Sequence, residues 1–135
     1  MTTVIVDTEA AAALLGNAPN KVDRVIKYVD ASKGPRRRNP NATTILVPTT
    51  VRIEARWDRT KPNAASANRL VGQDHELGTQ AANAAAQLAD VHNVSPADAH
   101  IGAIAAEMPR DVTVLTSDPD DIKAVTNGEA RVIQI

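Results

Sequence analysis

The chain has 135 residues, enough for one domain with a core of its own. Its 15 Lys and Arg nearly balance 16 Asp and Glu, for a formal charge of −1, and the absence of cysteine excludes disulfides, thiolate metal sites and cysteine nucleophiles. With one Trp, one Tyr and no Phe, the core must be built of Ala, Val, Ile and Leu, and no apolar run approaches the roughly 18 residues of a membrane span.

In chain order, residues 3–6 read as a short buried strand of β-branched residues ending at Asp7. That start leaves no room for a signal peptide, and the cytoplasm is the expected compartment. A short Ala/Leu helix over 9–16 is stopped by Gly16-Asn17. From Lys21 to about Ser32, Val22, Val25, Ile26 and Val29 recur at helical spacing. Residues 33–41, rich in Gly, Pro, Asn and Arg, read as a loop. A second buried strand spans 44–47, and Pro48 with Thr49 or Thr50 opens a helix expected to carry Glu54 and Trp57. Lys61-Pro62-Asn63 breaks that helix, and another is expected over about 64–72.

The segment Gly72–Gly78 is polar and signals a strand only weakly. An Ala-rich helix follows over 79–92. Ser95-Pro96 starts the next, a capping side chain followed by proline in the first turn, running to about Met108. Strand 112–115 leads into Asp118, which can cap a helix over about 119–126. Gly128 lies just past its end, and residues 131–135 read as a terminal strand. Strands alternating with helices predict an α/β fold in a single domain over 1–135, with a parallel sheet covered on both faces.

Asp7 and Asp118 each follow the carboxyl end of a strand, where parallel sheets bind ligands. They meet only if the two strands are neighbours. Asp98 lies in the first turn of its helix, where the dipole favours an anion. Glu54, about one turn into its helix, has the reach to turn back over the sheet edge. Asp121 lies on the same side of the last helix as Asp118. Five converging carboxylates would repel one another, a conflict that a hard divalent cation resolves. With these five set aside, 11 acids remain against 15 Lys and Arg, so the rest of the chain carries about +4. A basic body around an acidic pit suits a nucleic acid.

Four segments carry a family resemblance: Val4-Ile5-Val6-Asp7-Thr8, residues 47–54 ending in Glu54, residues 97–103 containing Asp98, and Leu115-Thr116-Ser117-Asp118-Pro119-Asp120-Asp121-Ile122. In order and approximate spacing they resemble the acidic motifs of PIN-domain ribonucleases, and among these the VapC-type toxins of bacterial toxin–antitoxin pairs. The resemblance covers nearly the whole chain. It implies a PIN-like domain with a twisted parallel sheet of about four to five strands. It also implies Mg²⁺- or Mn²⁺-dependent hydrolysis of RNA phosphodiesters. Asp7, Glu54, Asp98 and Asp118 would then be the catalytic acids and metal ligands, with Asp121 as a further ligand and Thr116 supporting the surrounding water. The implied partners are RNA (transfer RNA or another structured RNA), a cognate antitoxin protein and a second toxin subunit. The chain departs from the pattern at Gly72–Glu76, polar where relatives have an apolar strand, and in its basic loop.

Arg36, Arg37, Arg38, Arg52 and Arg56 are candidate phosphate contacts, because guanidinium groups bind phosphate as a fork. Trp57 is expected at an interface or stacked on a base. His100, two residues and about 200° beyond Asp98, should face away from the acids. His75 and His92 have no partner at metal-ligand spacing, and no Ser/His/Asp arrangement is visible. A haloacid-dehalogenase-type phosphotransferase would need a second Asp at the position of Glu9, and a receiver domain a central phosphorylated Asp that strand 44–47 lacks. A PIN-like module that binds RNA or protein without cutting would lose ligands, whereas all four core acids are present here.

Overall fold

The computed structural model describes residues 2–33, 43–108 and 111–135. The basic loop with Arg36, Arg37 and Arg38 lies outside the described residues. Among these residues five strands form one sheet: β1 (Thr3–Val6), β2 (Thr44–Pro48), β3 (Gln73–His75), β4 (Val112–Thr116) and β5 (Arg131–Gln134). Their order is β3-β2-β1-β4-β5, and every pair is parallel. The chain starts in the middle, winds outward through β2 and β3, then crosses back to β4 and β5. Connections from β1 and β4 therefore leave in opposite directions, which opens a crevice at the carboxyl ends of these two strands.

Among the described residues seven α-helices join the strands: α1 (Thr8–Leu14), α2 (Val22–Lys33), α3 (Thr49–Ala55), α4 (Ala65–Leu70), α5 (Thr79–His92), α6 (Pro96–Glu107) and α7 (Pro119–Val125). Every residue of β1 and β4 is buried, as expected of central strands covered on both faces. Helices α1, α2 and α4 pack together, as do α5, α6 and α7, and α3 touches both α1 and α6. The core is aliphatic, with Ile5, Ile101, Ile104, Leu115 and Ile122 fully buried. Each such side chain contributes about 1.5–3 kcal/mol relative to exposure.

Two sequence expectations are corrected here. Helix α3 stops at Ala55, so Trp57 lies beyond it. The stop is a left-handed turn at Arg56, φ 58°, with Trp57 N–H donating to the Arg52 carbonyl at 2.8 Å and Arg56 N–H to that of Ile53 at 3.2 Å. This is the bonding of a Schellman motif, with arginine where glycine is usual. Trp57 is not an interface residue: it is 3% exposed, its indole N–H donates to Asn68 Oδ1 at 2.9 Å, and Arg59 covers its ring at 4.7 Å. It fills the core, leaving no face for a base. Among the described residues no helix is long and apolar enough to cross a membrane.

Candidate metal centre

Strand β1 lies beside β4, with Val6 opposite Leu115, so Asp7 and Asp118 are brought to one edge. Asp7 is 5% exposed. One carboxylate oxygen caps α1 by accepting from Ala10 N–H at 2.8 Å, and the other accepts from Ser117 N–H at 3.1 Å. The Thr116 hydroxyl bonds the same carboxylate and accepts the Asp118 N–H at 2.9 Å. Thr116, fully buried, thus ties the two acidic turns together. Burial pushes the Asp7 carboxyl above the ordinary range, against these three bonds that lower it.

Asp118 occupies the N-cap position of α7, yet its side chain makes no capping bond. It turns to Asp121 instead, and that carboxyl–carboxyl hydrogen bond is the main reason the Asp121 carboxyl is raised. Asp98 comes from the opposite side. Ser95 caps α6 by accepting the Asp98 N–H at 3.2 Å, which places Asp98 in the first turn. The far end of α6 meets the amino end of β1, where Thr3 contacts Met108 Sδ at 3.8 Å, so its first turn lies over the carboxyl edge. One carboxylate oxygen from each of Asp98, Asp118 and Asp121 lies within 4.8 Å of the other two. These three acids can hold a metal ion between them.

Asp98 is the most perturbed acid of the group, pushed up to about 6. Desolvation is the largest cause, followed by the like charges of Asp7, Asp121, Asp118 and Glu54. All five acids from the sequence therefore act on one point. The ion pairs of Lys21, Arg52 and Arg59 go to Glu9 and Asp74 rather than to these five. A cation held among the three could balance this charge, and an all-oxygen donor set suits a hard one. The distribution differs from the expected one in emphasis. Asp121 belongs to the inner three, while Asp7 is occupied by N–H donors. Glu54 is exposed on α3 and accepts from the Thr8 hydroxyl at 2.8 Å.

Of the candidate phosphate contacts, Arg52 is engaged: it donates to the Trp57 carbonyl at 3.2 Å and to Asp74 at 2.9 Å. Arg56 has no side-chain partner among the described residues. It lines a depression of about 410 Å³ with Thr49, Arg52, Ile53, Trp57 and Asp58, beside the helix that carries Glu54.

Sequence reasoning missed a histidine pair. His100 is fully buried outside the acid group. Its Nδ1 lies 2.8 Å from the Thr50 hydroxyl and its Nε2 3.0 Å from His75 Nδ1, while His75 Nε2 lies 3.1 Å from Glu107. Desolvation, with His75 nearby, pushes His100 down to about 4. The two histidines are 25 positions apart on different elements, and no local spacing announces their pairing.

No protein-family model matches this chain, and a search of curated proteins finds no match.

Proposed function

We propose that the chain is a metal-dependent endoribonuclease of the PIN type, hydrolysing RNA phosphodiesters as the toxin of a toxin–antitoxin pair. The observation that carries the reading is the acid group at the crevice between β1 and β4, with Asp98, Asp118 and Asp121 within 4.8 Å and Asp7 and Glu54 acting on the same point. The order of the acidic segments along the chain supports it further.

In this reading Asp98, Asp118 and Asp121 hold Mg²⁺ or Mn²⁺, with Asp7 and Glu54 completing the negative field. The bound ion would supply Lewis acidity toward water and the phosphoryl group. The protein's own part is positional. Thr116 and Ser117 fix the Asp7 carboxylate, and through it the turn that presents Asp118. Thr8 holds Glu54 at the rim. In this reading Arg56, at the depression on α3, would contact a phosphate of the bound strand. Transfer RNA or another structured RNA is the substrate class. A cognate antitoxin, a second toxin subunit and a cytoplasmic setting belong to the same proposal.

The test is cleavage of total bacterial RNA by purified protein over a range of Mg²⁺ and Mn²⁺ concentrations, beside Asp98→Ala. Metal-dependent fragments absent from the variant are expected, and mapping their ends identifies the target. Equal fragments from both proteins, or none from either, overturn the reading in favour of a module that binds without cutting.

A further inference from the structure

The hydrogen-bonded chain Thr50–His100–His75–Glu107 ties α3, α6 and β3 together beside the acid group and contains none of its members. With both imidazoles neutral, its proton positions follow from the inventory of donors and acceptors. A carboxylate at Glu107 only accepts, so His75 Nε2 carries hydrogen. Neutral His75 then accepts at Nδ1, which requires hydrogen on His100 Nε2. His100 in turn accepts at Nδ1, and the Thr50 hydroxyl donates. Every bond then has one donor and one acceptor, running one way from Thr50 to Glu107. Consistent with this, no fully buried side-chain polar atom lacks a partner among the described residues.

Thr50 lies four residues before Glu54, on the same face of α3. That helix has only seven residues, and Pro48 at its N-cap position offers no side-chain cap. Its rotation must be set from outside. His100 comes from α6, two residues beyond Asp98, so one imidazole joins the helix that carries Glu54 to the helix that carries Asp98.

We propose that Thr50, His100, His75 and Glu107 form a positioning relay that sets the rotation of α3, and so the place of Glu54 relative to Asp98. The proposal rests on reading the acid group as a metal-dependent centre. None of the four belongs to the acid group. They act through Glu54.

The experiment uses the full chain and Mn²⁺ alone as the probe, with binding read by electron paramagnetic resonance of free Mn²⁺ and folding by circular dichroism. Thr50→Val keeps the shape of the side chain and removes the hydroxyl. It should fold and weaken Mn²⁺ binding on the order of tenfold, as loss of an outer partner does at metal sites. Thr50→Ser should restore binding. The double variant Thr50→Val/Glu54→Gln should bind no more weakly than Glu54→Gln alone, because the relay acts through that carboxylate. Nitrogen NMR of the wild-type imidazoles at alkaline pH, where both rings are neutral, adds a readout that needs no variant: both His75 and His100 should carry hydrogen on Nε2 and none on Nδ1. Wild-type Mn²⁺ binding unchanged in Thr50→Val, two losses that multiply, or either ring protonated at Nδ1 overturns the relay. A wild type that binds no Mn²⁺ overturns the metal reading itself, and the relay's role with it.

Discussion

A Cβ added to Gly102 would lie 2.7 Å from the Val125 carbonyl oxygen and 2.8 Å from Val125 Cβ. The glycine therefore lets α6 and α7 approach with backbone against side chain, and these two helices bring Asp98 to Asp121. The Leu88 side chain crowds the same point at 2.7 Å, which leaves a methyl group nowhere to go without parting the helices. Gly102→Ala should cost about 1–3 kcal/mol, the usual range for overpacking. Separating α6 from α7 should also widen the acid group, so Mn²⁺ binding should weaken beyond what stability alone explains. Urea denaturation and Mn²⁺ titration check the two effects separately. A variant as stable as the wild type would refute the close-approach account.

Asp98→Asn should stabilise the metal-free protein above pH 6. The folded pKa of Asp98, about 6, lies above its ordinary 3.8, so folding disfavours the charged form. That penalty is fully present above pH 6 and fades as pH falls toward 3.8. His100 works in the opposite direction. Its folded pKa of about 4 lies below the ordinary 6.5, so stability is lost as pH falls from 6.5 through 4. The two slopes oppose each other in the wild type, and the variant should show the His100 loss uncompensated. Asp98 is only partly buried, so solvent screening should limit the gain at pH 8 to a few degrees in Tm. Thermal melts in chelator from pH 4 to 8 give the answer, and a variant less stable at pH 8 would contradict it.

Mn²⁺ should raise the Tm of the wild type by linkage, with about 2.7 kcal/mol expected at a hundredfold excess over Kd. Asp121→Asn should remove most of that gain, because its carboxylate is one of the inner three. Asp120→Asn, on the exposed neighbouring position, should keep it. Equal responses from both variants would take Asp121 out of the site.

Arg56→Gly should stabilise the fold by about 0.5–1 kcal/mol, since a left-handed residue with a Cβ is strained and glycine is not. The same change removes the guanidinium beside the depression on α3, so RNA should bind more weakly. Urea midpoints and RNA binding measured together test that exchange. A variant that is less stable, or that binds RNA equally well, would remove the corresponding half.

The central strands were legible because β1, β2 and β4 are short runs of β-branched and aliphatic residues buried on both faces. Helix α5 was legible to the residue, 79–92, from its alanine content and its bounding Gly78 and Asn93. Strand β3 was nearly invisible: it is an edge strand of Gln73, Asp74 and His75, two of them exposed, so burial imposed no apolar pattern. The end of α3 was missed because no glycine marks it; tertiary packing of Trp57 holds Arg56 left-handed. The five acids were legible as strand-end and first-turn positions, but their division into an inner three and an outer two was not. That division depends on backbone N–H groups of residues 10 and 117 claiming Asp7, a matter of three dimensions alone.

Asp7 and Ser117 are 110 positions apart, yet their hydrogen bond closes the acid site. The central strand β1 precedes one of its two partners, β4, by most of the fold's elements. Parallel pairing across such a separation is entropically slow to form. A nascent chain must keep β1 waiting until β4 has emerged, with its apolar edge open to chaperones or to mispairing. The same topology acts as a safeguard. A fragment that stops before β4 would lack Asp118 and Asp121, so the three acids cannot come together until β4 and α7 have been made.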